Sequence, residues 1–206
     1  MAKKGLSTFL YAPLDESTLT YGKVKKLAAA ISYKESLTKN SVTVYADNIK
    51  QFEDNSVTGG NVALEILDDD PKIFTPLLGR KKKKIGDHEV NVGNTEDMPI
   101  PVGFGLIENE RVGTTVAYYR VKFYPKVTFA PYDTEAQTGK DTPDYKNPTV
   151  TGSIYCLENG DYIIEDRYST MEEAIKVLYA MFGATPPDFG SEPEDDVQIK
   201  DDDQTE

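Results

Sequence analysis

At 206 residues the chain has room for one generous domain and little more. It is 38% hydrophobic and 28% charged, and a core of this size needs neither disulfides nor a structural metal. The net charge of −12 is uneven: Asp188 to Glu206 holds nine acids and one lysine, while the rest holds 26 acids and 22 bases, too balanced for the basic face of a sequence-reading nucleic-acid binder.

The N-terminal stretch MAKKGLSTFLYAPLDE lacks the apolar run of a signal peptide. No segment reaches the ~20 apolar residues of a membrane helix. The expectation is a soluble chain kept inside the cell that makes it. Strand signals follow. In AAAISYKES, Ala29, Ile31 and Tyr33 alternate with small or polar neighbours. Val42 and Val44 alternate in SVTVYAD, and Val62, Leu64 and Ile66 in GNVALEIL. Between these lies a predicted loop, residues 48 to 60, with Ile49 and Phe52 set among polar residues. Asp70-Pro71 followed by KIFTPLLG predicts a short helix, with Pro71 at its first position and Gly79 past its end. Pro76 keeps it short.

The run Arg80, Lys81, Lys82, Lys83 and Lys84 reads as a solvated loop that faces acidic surface, or as a phosphate contact. His88, the only histidine, falls in a second loop, with no nucleophile turn near it. GFGLIE holds Gly103 and Gly105 without the rest of a dinucleotide fingerprint, and reads as the start of a strand. In TVAYYRVKFYP, Ala117, Tyr119, Val121 and Phe123 make one face; Val116, Tyr118, Arg120, Lys122 and Tyr124 make the other. KVTFAPY, PTVTGSIYC and DYIIEDR read as further strands. Asn159-Gly160 in LENG predicts a hairpin turn between the last two. The lone Cys156, in phase with Val150, Gly152 and Ile154, is expected to be a buried strand thiol, and no internal disulfide is possible.

In STMEEAIKVLYAMFG, Ser169 and Glu172 stand at capping-box spacing, and Met171, Ala174, Ile175, Leu178, Met181 and Phe182 form one apolar stripe. That predicts a helix over about 170–183, packed on a sheet. The fold class is mainly β: an antiparallel sandwich or barrel with one short helix and a C-terminal amphipathic helix. Residues 1–183 form the domain. Residues 184–206, rich in proline and acid, are expected to be a disordered tail.

Histidine and cysteine are too few for a four-ligand zinc site, and neither Asp68-Asp69-Asp70 nor Asp201-Asp202-Asp203 has calcium-loop spacing. Carboxylates are plentiful, but there is no tryptophan to platform a sugar. No catalytic, cofactor or metal residue is assigned.

The segments GLSTFLYAPLDE, TYGKVKKLAAAISYKES, VTVYADN and NVALEILDDDPKIFTPLLG, taken in this order, resemble the major tail protein of siphophages, the tail-tube subunit of phages with long non-contractile tails. PVGFG at 101–105, AYYRVKFYPKVTF and TPDYKNPTVTGSIY extend the resemblance to about Arg167. The helix from Met171 and the acidic tail lie outside it. It implies a structural virion protein, made in the host bacterial cytoplasm, whose β-sandwich subunits form hexameric rings stacked into a hollow tube. Its partners would be other copies of itself and other tail proteins: the tape measure, the tail terminator and the distal tail protein. Genomic DNA would pass the lumen without tight binding, and no membrane or cofactor is implied. On that reading Ile49 and Phe52 serve self-association, and Arg80 to Lys84 face a neighbouring ring or the outside, meeting acids such as Asp68 to Asp70 of another subunit. The competing readings are a monomeric adhesin-like binding module and a carboxylate-dependent hydrolase.

Overall fold

The computed structural model describes residues 2–47, 49–113, 115–134 and 147–187. Among these the chain forms thirteen strands and two helices. The strands are β1 (Ala2–Asp15), β2 (Thr20–Tyr21), β3 (Lys25–Lys26), β4 (Ala30–Lys39), β5 (Val42–Ala46), β6 (Ile49–Asp54) and β7 (Val57–Ile66). After α1 (Pro71–Leu77) come β8 (Lys81–Ile85), β9 (His88–Val92), β10 (Val102–Val112), β11 (Thr115–Phe129), β12 (Thr149–Ile154) and β13 (Ile164–Tyr168), then α2 (Met171–Met181). The fold is mainly β and antiparallel, as the alternation predicts.

The main sheet runs β2-β1-β10-β11-β12-β7-β4. It curls back on itself at residues 27–29, which join β3 to β4. Leu27 N donates to Phe9 O of β1 at 2.8 Å, and Leu67 N, just past β7, donates to Ala29 O at 3.1 Å. One short segment thus bonds β1 and the end of β7, which lie toward opposite ends of the sheet order, and Leu27 is wholly buried. The enclosed core is apolar: Phe9, Val62, Leu64, Phe104, Tyr124 and Phe129 lie in it, and α1 covers it with Phe74 and Leu77. Pro71, N-capped by Asp70, starts α1 as predicted.

A second, smaller core lies outside the curl, where α2 lays Ala174, Leu178 and Phe182 on Leu10, Ile107, Val121 and Phe123. Gly103 and Gly105 allow this. A Cβ at Gly103 would stand 2.6 Å from the Tyr21 ring, and one at Gly105 would stand 2.4 Å from Leu178 Cδ1. The predicted stripe of α2 is therefore the packed face, but the cap sits one residue later than Ser169. Thr170 is the N-cap, its hydroxyl accepting from Glu173 N. At the far end Gly183 N bonds Ala180 O and Ala184 N bonds Tyr179 O, the paired bonds of a Schellman motif.

Several expectations are corrected. The loop predicted at 48–60 is mostly strand: β6 occupies 49–54 and β7 starts at Val57, and Asp47 just before β6 is a turn residue; Asn48 lies outside the described residues. Asp47 takes a φ of 52°, which Asp tolerates at hairpin turns. Gly60 marks a close approach rather than a turn, since a Cβ there would lie 2.6 Å from Ser36 O of β4.

The lysine run and His88 are paired strands of a hairpin, β8–β9. AYYRVKFYP and KVTFAPY are one 15-residue strand, β11. Pro125 cannot donate to a ladder, and it sits where the pairing with β10 slips by one residue between Phe104 and Val102. That slip brings odd-numbered Val127 and Phe129 onto the same core as even-numbered Tyr124.

A turn does form at Asn159-Gly160, but the strands flanking it do not pair with each other. β12 pairs with Val127–Phe129 and β13 with Tyr119–Phe123, end to end along the same side of β11. Cys156 lies past the end of β12, half-buried, with its thiol 3.9 Å from Val57 O. Ile31 falls on a register shift between Ala30 and Ser32, which leaves it exposed and out of phase with Tyr33. The predicted tail lies, from residue 188 onward, outside the described residues.

Candidate interaction surfaces and a buried charge cluster

The β5–β6 hairpin stands apart from the main sheet as its own two-stranded sheet. Ile49 is 63% exposed and Phe52 is 60% exposed, with Val42 and Tyr45 also bare. By strict alternation Ile49 and Phe52 would point to opposite faces. The pairing slips between Val44↔Phe52 and Tyr45↔Lys50, which places the extra residue at Gln51. A bulge of this kind puts Ile49 and Phe52 back on one face, along with Val42. An isolated hairpin is marginal in water, and bare large apolar groups on it mark a contact surface.

The β8–β9 hairpin carries the other predicted residues. Lys81 to Lys84 are all exposed, and so is Arg80 at the foot. Lys82 pairs with Glu89 at 3.5 Å. The two hairpins are separate two-stranded sheets. Of the acids expected to meet the lysines, Asp70 is occupied as the cap of α1, and Asp69 accepts from Tyr132 Oη at 3.0 Å.

Sequence reasoning missed the most polar part of the interior. Along β10 the core-facing residues run Phe104, Leu106, Glu108 and Glu110, so the face changes from apolar to acidic. The last two are buried, 4% and 2% exposed. On β11 the matching positions are Tyr124, Lys122 and Arg120. Arg120 Nε meets Glu110 Oε1 at 2.7 Å, and Arg167 Nε of β13 meets Glu110 Oε2 at 3.1 Å. Lys122, also buried, donates to Glu35 of β4 at 2.7 Å. Glu165 lies 3.4 Å from Arg120 and 4.0 Å from Lys122.

Tyr33 Oη donates to the same Glu35 oxygen at 3.1 Å and accepts from Tyr124 Oη, since its one proton is already committed. The signal was present in the sequence. Glu108 and Glu110 are in phase with Phe104 and Leu106, and Arg120 and Lys122 are in phase with Tyr124. Two facing strands that carry opposite charges on the core-facing side are a pairing pattern.

The electrostatics follow from the packing. Burial is the largest influence on Glu35 and pushes its pKa up, but the hydrogen bond and charge of Lys122, with help from Tyr33 and Tyr124, outweigh it and leave it below the ordinary 4.5. Burial raises Tyr33 and Tyr124, and Tyr21 is pushed up to about 12. A depressed carboxylate stabilises the fold above its unfolded pKa, and that contribution is lost as pH falls through the folded value. Denaturant melts should therefore show stability falling as pH drops below about 4.3. In Glu35→Gln that part of the decline should be shallower. An unchanged slope would mean Lys122 does not hold the carboxylate ionised.

Among the described residues no three His, Cys, Asp or Glu side chains gather as a metal ion requires, and no helix is long and apolar enough to cross a membrane. The sequence matches no family model and no curated protein.

Proposed function

We propose that this chain is a self-assembling structural subunit of the siphophage tail-tube kind, which closes into hexameric rings and stacks them into a conduit for DNA. The observation that carries this reading is the β5–β6 hairpin, which holds Ile49, Phe52 and Val42 on one exposed face clear of its own barrel. A neighbouring copy that receives this arm makes a head-to-tail contact, and such contacts close as rings or repeat as tubes. The lysine hairpin points away from the lumen, toward a neighbouring ring or the outside, because a basic lining would grip phosphates ring after ring.

Negative-stain microscopy and light scattering of the purified chain test the reading. Rings or tubes are expected. The double variant Ile49→Asp, Phe52→Asp should fold as the parent does and remain monomeric. Burying one such side chain is worth ~1.5–3 kcal/mol. Loss of both therefore weakens each contact at least ~100-fold. A parent that stays monomeric at high concentration overturns the proposal. A double variant that builds tubes as readily as the parent removes the hairpin from it.

A further inference from the structure

The two faces of the β8–β9 hairpin differ. On one, Lys82 and Lys84 stand across from Asn91 and Glu89, and an acid is at hand. On the other, Lys81, Lys83 and Ile85 stand across from Val92, Val90 and His88. That second face therefore joins two cations to a strip of Ile85, Val90 and Val92, and Ile85 is 59% exposed. Among the described residues neither Lys81 nor Lys83 has an ion-pair partner. A shallow cavity of about 420 Å³ opens at the edge of the hairpin, lined by Lys81, Lys82, Lys83 and Val92 together with Glu96 and Asp97. The hairpin is a two-stranded sheet with both edges free, and such a sheet is marginal until something covers it.

The sequence holds one segment of matching chemistry. In DDVQIKD, residues 195–201, an extended chain puts Asp195, Val197, Ile199 and Asp201 on one side: acid, apolar, apolar, acid. The whole stretch from Asp188 to Glu206 has nine acids against one lysine.

Its point of departure is close enough. Phe182, at the end of α2, packs on Phe123 with ring centroids 4.8 Å apart and reaches Gly105 of β10. Five residues before Gly105, or ~16 Å along an extended chain, Ile100 N bonds Leu77 O at 3.1 Å. Leu77 lies three residues from Arg80, the foot of the hairpin. The eleven residues from Ala184 to Glu194 span up to ~36 Å when extended.

From this geometry we infer that the acidic C-terminal segment, centred on Asp195 to Asp201, docks on the Lys81–Lys83 face of the β8–β9 hairpin of its own chain. Asp195 and Asp201 meet the two lysines, and Val197 and Ile199 cover Ile85, Val90 and Val92. This holds whether or not the chain builds a tube.

The test uses the full chain carrying Ile49→Asp and Phe52→Asp, the substitutions expected to keep it monomeric. A nitroxide is attached at Thr205→Cys in a Cys156→Ser background, and amide spectra are recorded. Selective loss of signal from residues 81–92 is expected. It should recover in ~1 M salt, where the Debye length is ~3 Å. It should recover likewise in Lys81→Gln, Lys83→Gln and, independently, in Asp195→Asn, Asp201→Asn, with the signals of the barrel unchanged. When the nitroxide rides on an unlabelled chain mixed with an isotope-labelled one, no loss is expected. Three results overturn the inference: no selective loss at 81–92, loss that survives the lysine substitutions, or loss seen only between chains, which would assign the hairpin to a neighbour's tail. The readout is taken on the monomer, so a failure of assembly and a failure of docking are told apart.

Discussion

Glu110→Ala is expected to lower the unfolding free energy by about 3–5 kcal/mol, the usual cost of removing one partner from a buried ion pair. Glu110 is 2% exposed and holds both Arg120 and Arg167. Without it Arg120 keeps Glu165, at 3.4 Å. Desolvation opposes the charge on Arg120, and the acids around it more than offset that, leaving its pKa above the ordinary value. Taking away Glu110 removes the largest of the contributions that offset desolvation. Glu110→Gln keeps an acceptor and should cost less. Urea unfolding of the three proteins gives the comparison. A loss below ~1 kcal/mol for the alanine variant would mean that water enters the charged end of the barrel and solvates the freed arginines.

Phe104→Ala should cost a similar amount, about 3–5 kcal/mol, by a different route. Its ring is fully buried and touches three others: Phe9 at 5.6 Å, Phe129 at 5.7 Å and Tyr124 at 6.2 Å between centroids. These come from β1 and β11, so the cavity would open where both strands meet β10. For a chain of this size the melting temperature should fall by about 10 °C. Because the cavity is apolar, its cost should not change with salt, whereas the Glu110 variant's should. A drop near 1 kcal/mol would show that the barrel collapses into the gap.

Most strands were legible because one face of each packs on a core, and burial on one face leaves a period of two. β7 and β10 read this way along Val62, Leu64 and Ile66 and along Phe104 and Leu106. Reading failed where the period breaks. The slips at Ile31, Gln51 and Pro125 each shift the alternation by one residue, and of the three only Pro125 carries a compositional mark. It failed again where a strand is bare on both faces, because β6 and β8 pack neither side on a core and burial imposes no alternation on them. Partnering was the least legible feature. β12 and β13 both align with β11, a long-range choice that the Asn159-Gly160 turn between them does not encode. For the candidate surfaces, residue types were visible in advance. The shared face of Ile49 and Phe52 was not, because it depends on the Gln51 bulge.

The feet of the β5–β6 hairpin are pinched together. Asn40 N donates to Ser56 O at 2.7 Å, and the Asn40 side chain reaches Ser56 Oγ at 3.2 Å and Asp54 at 3.4 Å. The fifteen residues from Ser41 to Asn55 therefore leave the barrel and return to the same spot. Closing such an excursion costs free energy that grows only with the logarithm of its length, ~0.6 kcal/mol for each doubling. Insertions and deletions at the tip are thus nearly invisible to the barrel, while each added pair of residues lengthens the arm by ~3.3 Å. Arm length can drift between lineages at almost no cost to folding. A foreign peptide spliced in beside Asp47 would be displayed at the end of a stalk, held by the same three contacts at its base.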